Sequence, residues 1–502
     1  MPLIPVAEWM PDQAPYQSPG TPSVANVLPS ALSYRPFKAM TVHSTNALGA
    51  RARGLWYGRA IDGSARVFAG TATKLYALSG TAWNDVTRAS GGDYAVGDEA
   101  QWSFVQFGDL LLAFNGTDAP QVFTLSDVVD GSVKFVALGG TPPTAEFITV
   151  VRDFAFAGKL DSAKSTNQWS AINNAESWAT SATTMADSQV IPAGGNIRGQ
   201  AGGEFGIVLQ DDAIQRYSFV GPPTKFQRDE IATGIGCSIQ GSVASHGNRV
   251  FFVHKTGFYE LANGDTAGLK AIGAGKVDRT FWETVDQNYL SRVTSAIDPL
   301  NKLYLISFPD GGASSGTPNT VWAYEWEVGR WAPVTGIGDH EMIATGSAQN
   351  SLGIDDDDGY ADDIDAAGAP SLDSEIYAGT VVPKLAAFNT SHELMFSDGA
   401  ALAATVDTNE QQPTIGQKSF IRAARPVVEG NDTDVRLSLG YRQTLGDAVT
   451  FTSESTPSSG DKLCKFRTKA RYVRGRISIP AGEDWDHIQG VDEIVYSAAG
   501  NR

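Results

Sequence analysis

Cysteine is nearly absent from this chain: 502 residues carry two, Cys237 and Cys464, far apart and without the spacing of a metal knuckle or a disulfide framework. Two isolated thiols read as reduced, buried side chains of a protein folded in a cytoplasm. Long apolar runs are missing too. Nowhere do 18 apolar residues follow one another, and the segment MPLIPVAEWMPDQAPYQSPGTP lacks the basic and apolar regions of an export signal. Neither a membrane span nor direct membrane insertion is therefore expected. Charged residues amount to only 19%, and basic ones are the minority, 38 Lys and Arg against 56 Asp and Glu, for a net charge of −18. Such a surface repels duplex DNA and anionic membranes alike, which excludes sequence-specific nucleic-acid binding as the main expectation. Helical heptads and charged i,i+4 ladders are also lacking.

The enzyme signatures are no better represented. There is no G-x-S-x-G elbow, no H-E-x-x-H helix and no Walker A loop; the segment from Gly268 to Gly273 is followed by Ala274 where the loop requires Lys. The sialidase Asp-box is missing, since Ser79-Gly80-Thr81-Ala82-Trp83 lacks its Asp. Asp339-His340-Glu341 looks like a catalytic dyad, but neighbours on a strand point to opposite faces, so a surface turn is the expectation there. No catalytic residue and no cofactor is assigned, and a non-enzymatic protein is expected.

What is plentiful is Gly (53), Pro (24) and hydrophobic residues (42%), the balance of an all-β protein with many turns. Eight prolines fall in the first 45 residues, so residues 1–45 read as an extended arm. Trp9, Tyr16, Tyr34 and Phe37 give it apolar anchors with which to dock on a neighbouring surface in an assembly. From residue 66 a pattern of turn, apolar strand, turn and aromatic-ended strand recurs. Its copies start at Arg66, Asp109, Asp153, Glu204, Arg249 and Lys302, at separations of 43, 44, 51, 45 and 53 residues. That period predicts four-stranded blades, hence a β-propeller of about six blades over residues 46–345.

Residues 346–385 form an acidic linker. Set against an EF-hand loop with Gly359 at its sixth position, Asp356, Asp358 and Asp365 fall on ligand positions, but Ile354 occupies the first. The three carboxylates are thus candidates for an irregular calcium site, against the favoured reading of a solvated linker. Residues 386–502 read as a smaller C-terminal β domain of sandwich type, with clean alternation from Tyr472 to Ile479.

Several segments together resemble the tail hub and nozzle proteins of short-tailed bacteriophages, the packaged-DNA stabilisation group. They are AEWMPDQAPYQSPGTPSVANVLPSALSYRP, SAINNAESW, MADSQVIPAGGNIRG, ATGIGCSIQGSVASHGNRVFFVHKTGFYEL, KVDRTFWETVD and KARYVRGRISIPAGEDWDHIQGVDEIVYSAAGNR. The resemblance implies a structural virion subunit, assembled in the host bacterial cytoplasm into a ring, usually a hexamer, that retains packaged DNA and passes it at ejection. It implies as partners the head-to-tail adaptor, tail spike or fibre proteins and transiently the double-stranded DNA, and no catalytic residues. Two other readings stand beside it. One is a glycan-binding or glycan-degrading tail protein whose tryptophans stack on sugars. The other is a cellular scaffold that takes peptides or proteins at its central face.

Overall fold

The computed structural model describes residues 3–14, 16, 18–21, 23–347, 383–430 and 433–500. Among them the chain is all-β, with one short α-helix, Asp278–Thr284, and a few 3-10 turns. The strands form ten separate sheets. Seven are four-stranded and antiparallel. In six of these the two central strands are the recurring sequence segments, as in Ala65–Gly70 with Leu75–Ser79 and Leu303–Phe308 with Thr320–Glu325. Both central strands are apolar on both faces, because each sheet is covered on either side by its neighbours: Leu303–Phe308 and Thr320–Glu325 are buried throughout.

The expected β-propeller of about six blades, with an arm that docks on a neighbouring molecule and a separate C-terminal domain, differs from the structure on three points. The structure has ten discrete sheets, none of which closes on itself into a ring, and seven of them, not six, are four-stranded. The seventh combines His340–Gly346, Lys384–Asn389 and Leu394–Ala401 with Lys38–Val42, a strand from the region read as arm. Its central strands lie beyond the acidic stretch, so they continue no spacing visible before it. Finally, the proline-rich region is woven into the C-terminal half. Ile4–Pro5, Val27–Pro29 and Tyr34–Pro36 extend a six-stranded sheet with Ser419–Glu429, Cys464–Ala470 and His487–Ala498. Val24–Ala25 edges a five-stranded sheet with Ala404–Asp407, Arg436–Arg442, Thr450–Phe451 and Tyr472–Ile479. Proline lacks the donor that a central strand needs, and these strands are accordingly only two or three residues long.

Neighbouring sheets share apolar cores two at a time. Phe68, Leu111 and Phe123 fill the space between the first and second, while Val67, Leu78, Phe388 and Phe396 join the first to the seventh. The largest core runs through the fifth and sixth sheets, the arm and both C-terminal sheets. Within it Trp9 meets Trp322 edge-on at 4.8 Å. Tyr16 meets Tyr472 at 5.0 Å, and Phe37 is buried between the sixth and seventh sheets. Tyr34 donates to the Ala7 carbonyl at 2.8 Å, under the guanidinium of Arg330. All four aromatic anchors thus engage the chain's own surfaces. Alternation along Tyr472–Ile479 places Val473, Gly475, Ile477 and Ile479 inside, as the pattern predicts.

The arm also caps the helix, since Asp12 accepts from the backbone N–H groups of Arg279 and Thr280, each at 2.9 Å. Beside it, burial pushes the Asp278 carboxyl up to about 6, and Asp12 adds to the shift. The folded chain therefore holds this proton more tightly than the unfolded chain, whose carboxyl titrates near 3.8. Linkage then makes the contribution of this group to stability fall as pH rises through that window. Asp278→Asn keeps an acceptor for the Phe258 N–H, 3.0 Å away. It is expected to raise the melting temperature at pH ~7 and to lose that advantage by pH ~4, as a melting series of both proteins reads directly.

Candidate binding site at the channel mouth

The first strands of the seven four-stranded sheets all contribute to one cavity. Gly54, Ser103, Phe147, Gly199, Val243, Thr294 and Met342, one from or beside the first strand of each sheet, line a single cavity of about 290 Å³. At the end where these strands begin lies a second, larger cavity of about 540 Å³. Gln101, Glu146 and Gln240 line both, so they form the partition between mouth and interior.

Two of these, Glu146 and Gln240, are joined with Lys159 of the mouth lining in a hydrogen-bonded trio. Lys159 Nζ lies 2.5 Å from Glu146 Oε2 and donates to Gln240 Oε1 at 2.9 Å, while Gln240 Nε2 donates back to Glu146 Oε1. Lys159 reaches inward because the pairing of its strand with Ala163–Trp169 slips by a bulge between Gly158 and Leu160. At that bulge Lys159 adopts φ 56°, a left-handed conformation costing about 1–2 kcal/mol for a side chain with a Cβ. A Cβ at Gly158 would come within 2.0 Å of Gln200 Nε2, so the Gln200 side chain lies where a larger residue would displace it. Gln200 lines the inner cavity with both carboxamide atoms buried and without a hydrogen-bond partner, and the neighbouring Asn167 Oδ1 is in the same condition.

A group of arginines stands beside the mouth. Arg53 donates to the Val96 carbonyl and to Asp98 Oδ1, both at 2.7 Å, and to the Gly97 carbonyl. Arg51 donates to the Asp98 carbonyl at 3.1 Å. Between them the Ala52 N–H donates to Glu341 Oε2 at 2.8 Å, and Glu341 Oε1 lies 2.5 Å from His392 Nδ1. Burial raises the Glu341 carboxyl. Burial also pushes the Arg51 guanidinium down to about 10, helped by the nearby charges of Arg292 and Arg53. Arg292 follows Ser291, a residue of the mouth lining, and its Nη1 is buried with no hydrogen-bond partner.

The sequence-based candidates fall elsewhere. Asp356, Asp358 and Asp365 lie outside the described residues, and among the described residues no three His, Cys, Asp or Glu side chains come together as a metal site. Asp339-His340-Glu341 is not the expected surface turn. His340 is fully buried, its Nε2 2.6 Å from Ser307 Oγ and its Nδ1 2.8 Å from the Gly338 carbonyl. Burial lowers its pKa, so the ring is a neutral bridge between two sheets, and no substrate reaches the serine, itself wholly buried. Both cysteines are buried and unpaired. No described helix is long and apolar enough to cross a membrane. Sequence reasoning missed the two cavities, whose lining comes from the first strands and the loops before them, outside the recurring hairpins. The one available signal was the run of amides and glycines in residues 194–203.

No family model matches the chain, and no curated protein matches it. Among solved structures it is similar to the extracellular domain of a one component system from B. thetaiotaomicron, at 10% identity and TM-score 0.44, over 86% of this chain and 47% of that one. The chain thus spans about half the length of that protein. It is also similar to the WD40 domain of Pan2 from Neurospora crassa (6% identity, TM-score 0.36, 74% of this chain and 98% of that one). A third is the N-terminal domain of Nup159 (7%, 0.37, 73% and 96%). Likenesses this distant assign neither family nor function. The expected tail hub or nozzle subunit that lines and closes a DNA channel rested on a propeller, and among the described residues no sheet closes into a ring; neither a family model nor a curated protein supplies that role.

Proposed function

We propose that the protein is a non-enzymatic scaffold that binds an extended peptide segment of a protein partner in the mouth, the cavity of about 540 Å³. The observation that carries this reading is the lining itself. Gln101, Gln287 and Asn288 bring carboxamides to the mouth, Gln287 and Asn288 each with its oxygen still free to accept, and Gln200 is unpartnered in the inner cavity. A carboxamide donates and accepts at once, as a peptide group does, and a buried one left unpaired carries a desolvation penalty that a ligand's polar groups relieve. The aromatic platforms that stack on sugar faces are missing, since none of the residues lining the mouth is aromatic.

Selection of a random peptide display library on the full chain tests this. Gln287 is exposed, so Gln287→Trp fills the mouth without disturbing a core. Enriched peptides should bind the native chain at least tenfold more tightly than this variant. Peptides that bind both equally, or retention of glycans alone on the native chain, would remove the reading.

A further inference from the structure

One stretch of this acidic chain is strongly basic. Seven of the fifteen residues from Lys462 to Arg476 are Lys or Arg and none is acidic, although the net charge of the chain is −18. Arg474 and Arg476 are neutralised by the buried Asp407. The strand before them, Cys464–Ala470, buries alternate residues and turns Lys465, Arg467 and Lys469 to solvent. It is an edge strand, paired on one side only, with Ser419–Glu429. The ladder slips between Ile421 and Ala423, yet the alternation of exposed and buried residues is kept. The pairing sets Phe420 opposite Lys469. Arg422, also exposed, lies on that face, its guanidinium carbon 5.9 Å from the centre of the Phe420 ring. Four cations thus share one open sheet face. The acids around it are engaged elsewhere. Asp461, just before the strand, accepts from the Ser458 hydroxyl and from the Leu463 N–H at 3.1 Å, and Glu493, beyond Ser419–Glu429, pairs with Arg425 at 2.7 Å. Among the described residues no carboxylate lies within ion-pair distance of Arg422, Lys465 or Arg467.

We infer that this face is a docking surface for an extended acidic segment of a protein partner, separate from the mouth. Charge complementarity carries the inference, since unpaired cations grouped on a chain of opposite net charge make a local field that draws anions. The pitch of the row sets the shape of the partner. Alternate residues of a strand repeat at about 6.6–6.8 Å, so carboxylates on alternate residues of an extended segment meet Lys465, Arg467 and Lys469 one for one. Arg422 and Arg467 also present guanidinium forks to a carboxylate, giving charge-assisted bonds about twice as strong as neutral ones. A nucleic acid, charged at every residue, would run on from these few cations over a surface of its own sign, which a short acidic segment does not. Lysines on an edge strand also discourage sheets from pairing with one another, a role in solubility that the test has to separate from docking.

Three fluorescein-labelled, amidated heptapeptides serve as probes on the full chain: Thr-Glu-Thr-Glu-Thr-Glu-Thr, its Gln counterpart and its Lys counterpart, with an oligothymidylate beside them. Anisotropy at about 0.15 M salt reads the outcome. The Glu probe should bind at least tenfold more tightly than the Gln probe. Lys465→Glu and Arg467→Glu, both at exposed positions, should each reduce that preference at least fivefold. The double variant should prefer the Lys probe, a reversal that a role in solubility alone does not produce. Gln287→Trp, which fills the mouth, should leave the affinity for the Glu probe unchanged, so this surface and the mouth stand or fall separately. Equal binding of the Glu and Gln probes, a preference untouched by the charge reversals, or loss of the Glu probe in Gln287→Trp overturns the docking surface. Tighter binding of the oligothymidylate than of the Glu probe would overturn it in favour of a nucleic acid.

Discussion

Trp331→Ala is expected to cost the folded chain about 3–5 kcal/mol, among the largest losses any single substitution in this protein should produce. The side chain is fully buried in the outermost strand of the sixth sheet, Arg330–Val334. Its ring centroid lies 4.6 Å from that of Phe258 and 4.9 Å from that of Tyr324, and its Nε1–H donates to the Ile272 carbonyl at 3.0 Å. The residue therefore ties the sixth sheet to the fifth. The same strand supports the arm: Arg330 donates to the carbonyls of Ser30 at 2.6 Å and Ala7 at 3.1 Å. Truncation removes an indole from a core that rigid sheets cannot collapse to fill, so the loss should sit near the top of the range. Trp331→Phe keeps a ring and loses chiefly the hydrogen bond, which leaves the Ile272 carbonyl to find another donor; about 1–3 kcal/mol is expected. Urea unfolding of the three proteins measures both. A loss below ~1 kcal/mol for the alanine variant would show that this core relaxes, against the packing described. Limited proteolysis should also cut the first 37 residues faster in Trp331→Ala than in the native chain.

How much of this was legible beforehand follows from which strands carry a local signal. The recurring hairpins at Arg66, Asp109, Asp153, Glu204, Arg249 and Lys302 are covered on both faces, so they are continuous apolar runs that stand out from polar turns. The first strands are mixed: Ile197–Ala201 has only alternate residues buried, and Phe147, Val243 and Met342 line the inner cavity beside Ser103 and Thr294, so no continuous apolar run sets them off from the turns. The site is built from them and from the loops that precede them. The seventh sheet was hidden for a different reason. Its outer strand Lys38–Val42 and its central strand Leu394–Ala401 are more than 350 residues apart in sequence, and no local pattern predicts that pairing. His340 illustrates a third kind of failure. Neighbouring side chains on its strand do point to opposite faces, but both faces are covered at that position, so His340 and Glu341 are both buried. Tertiary cover, and not strand geometry, decides the outcome there. The aromatic anchors of the arm were readable as anchors because eight prolines leave a segment unable to hold itself in place. The surface they dock on was not, since nothing in residues 1–45 distinguishes the chain's own sixth sheet from another molecule.

Asp407→Ala should be nearly as costly as the loss of Trp331, for electrostatic and not packing reasons. Asp407 ends the strand Ala404–Asp407 with no exposed surface, and its carboxylate accepts from Arg476 Nε at 2.6 Å and Arg476 Nη2 at 3.0 Å. Arg474 Nε lies 3.2 Å from the same carboxylate. One buried anion thus balances two guanidiniums, which also stack over Phe451 at 3.7 Å and 5.4 Å. Its backbone N–H donates to the Ser23 carbonyl and Arg476 Nη2 reaches Ser23 Oγ, so the same point fastens the arm to the five-stranded sheet. Deleting the carboxylate leaves two like charges close together in a site with little water to screen them, and breaking such a buried pair costs about 3–5 kcal/mol. The exposed pair Lys255–Asp212, at a similar 2.9 Å, should by contrast yield no more than ~1 kcal/mol when Asp212 is replaced by alanine. Burial, then, and not the distance between charges, sets the difference. A double-mutant cycle gives the sharper test. Adding Arg474→Ala to Asp407→Ala removes one of the stranded charges, so the double variant should be more stable than the sum of the single losses predicts, by about 0.5–3 kcal/mol. Strict additivity would mean that Arg474 is already solvated, and that Arg476 alone depends on the aspartate.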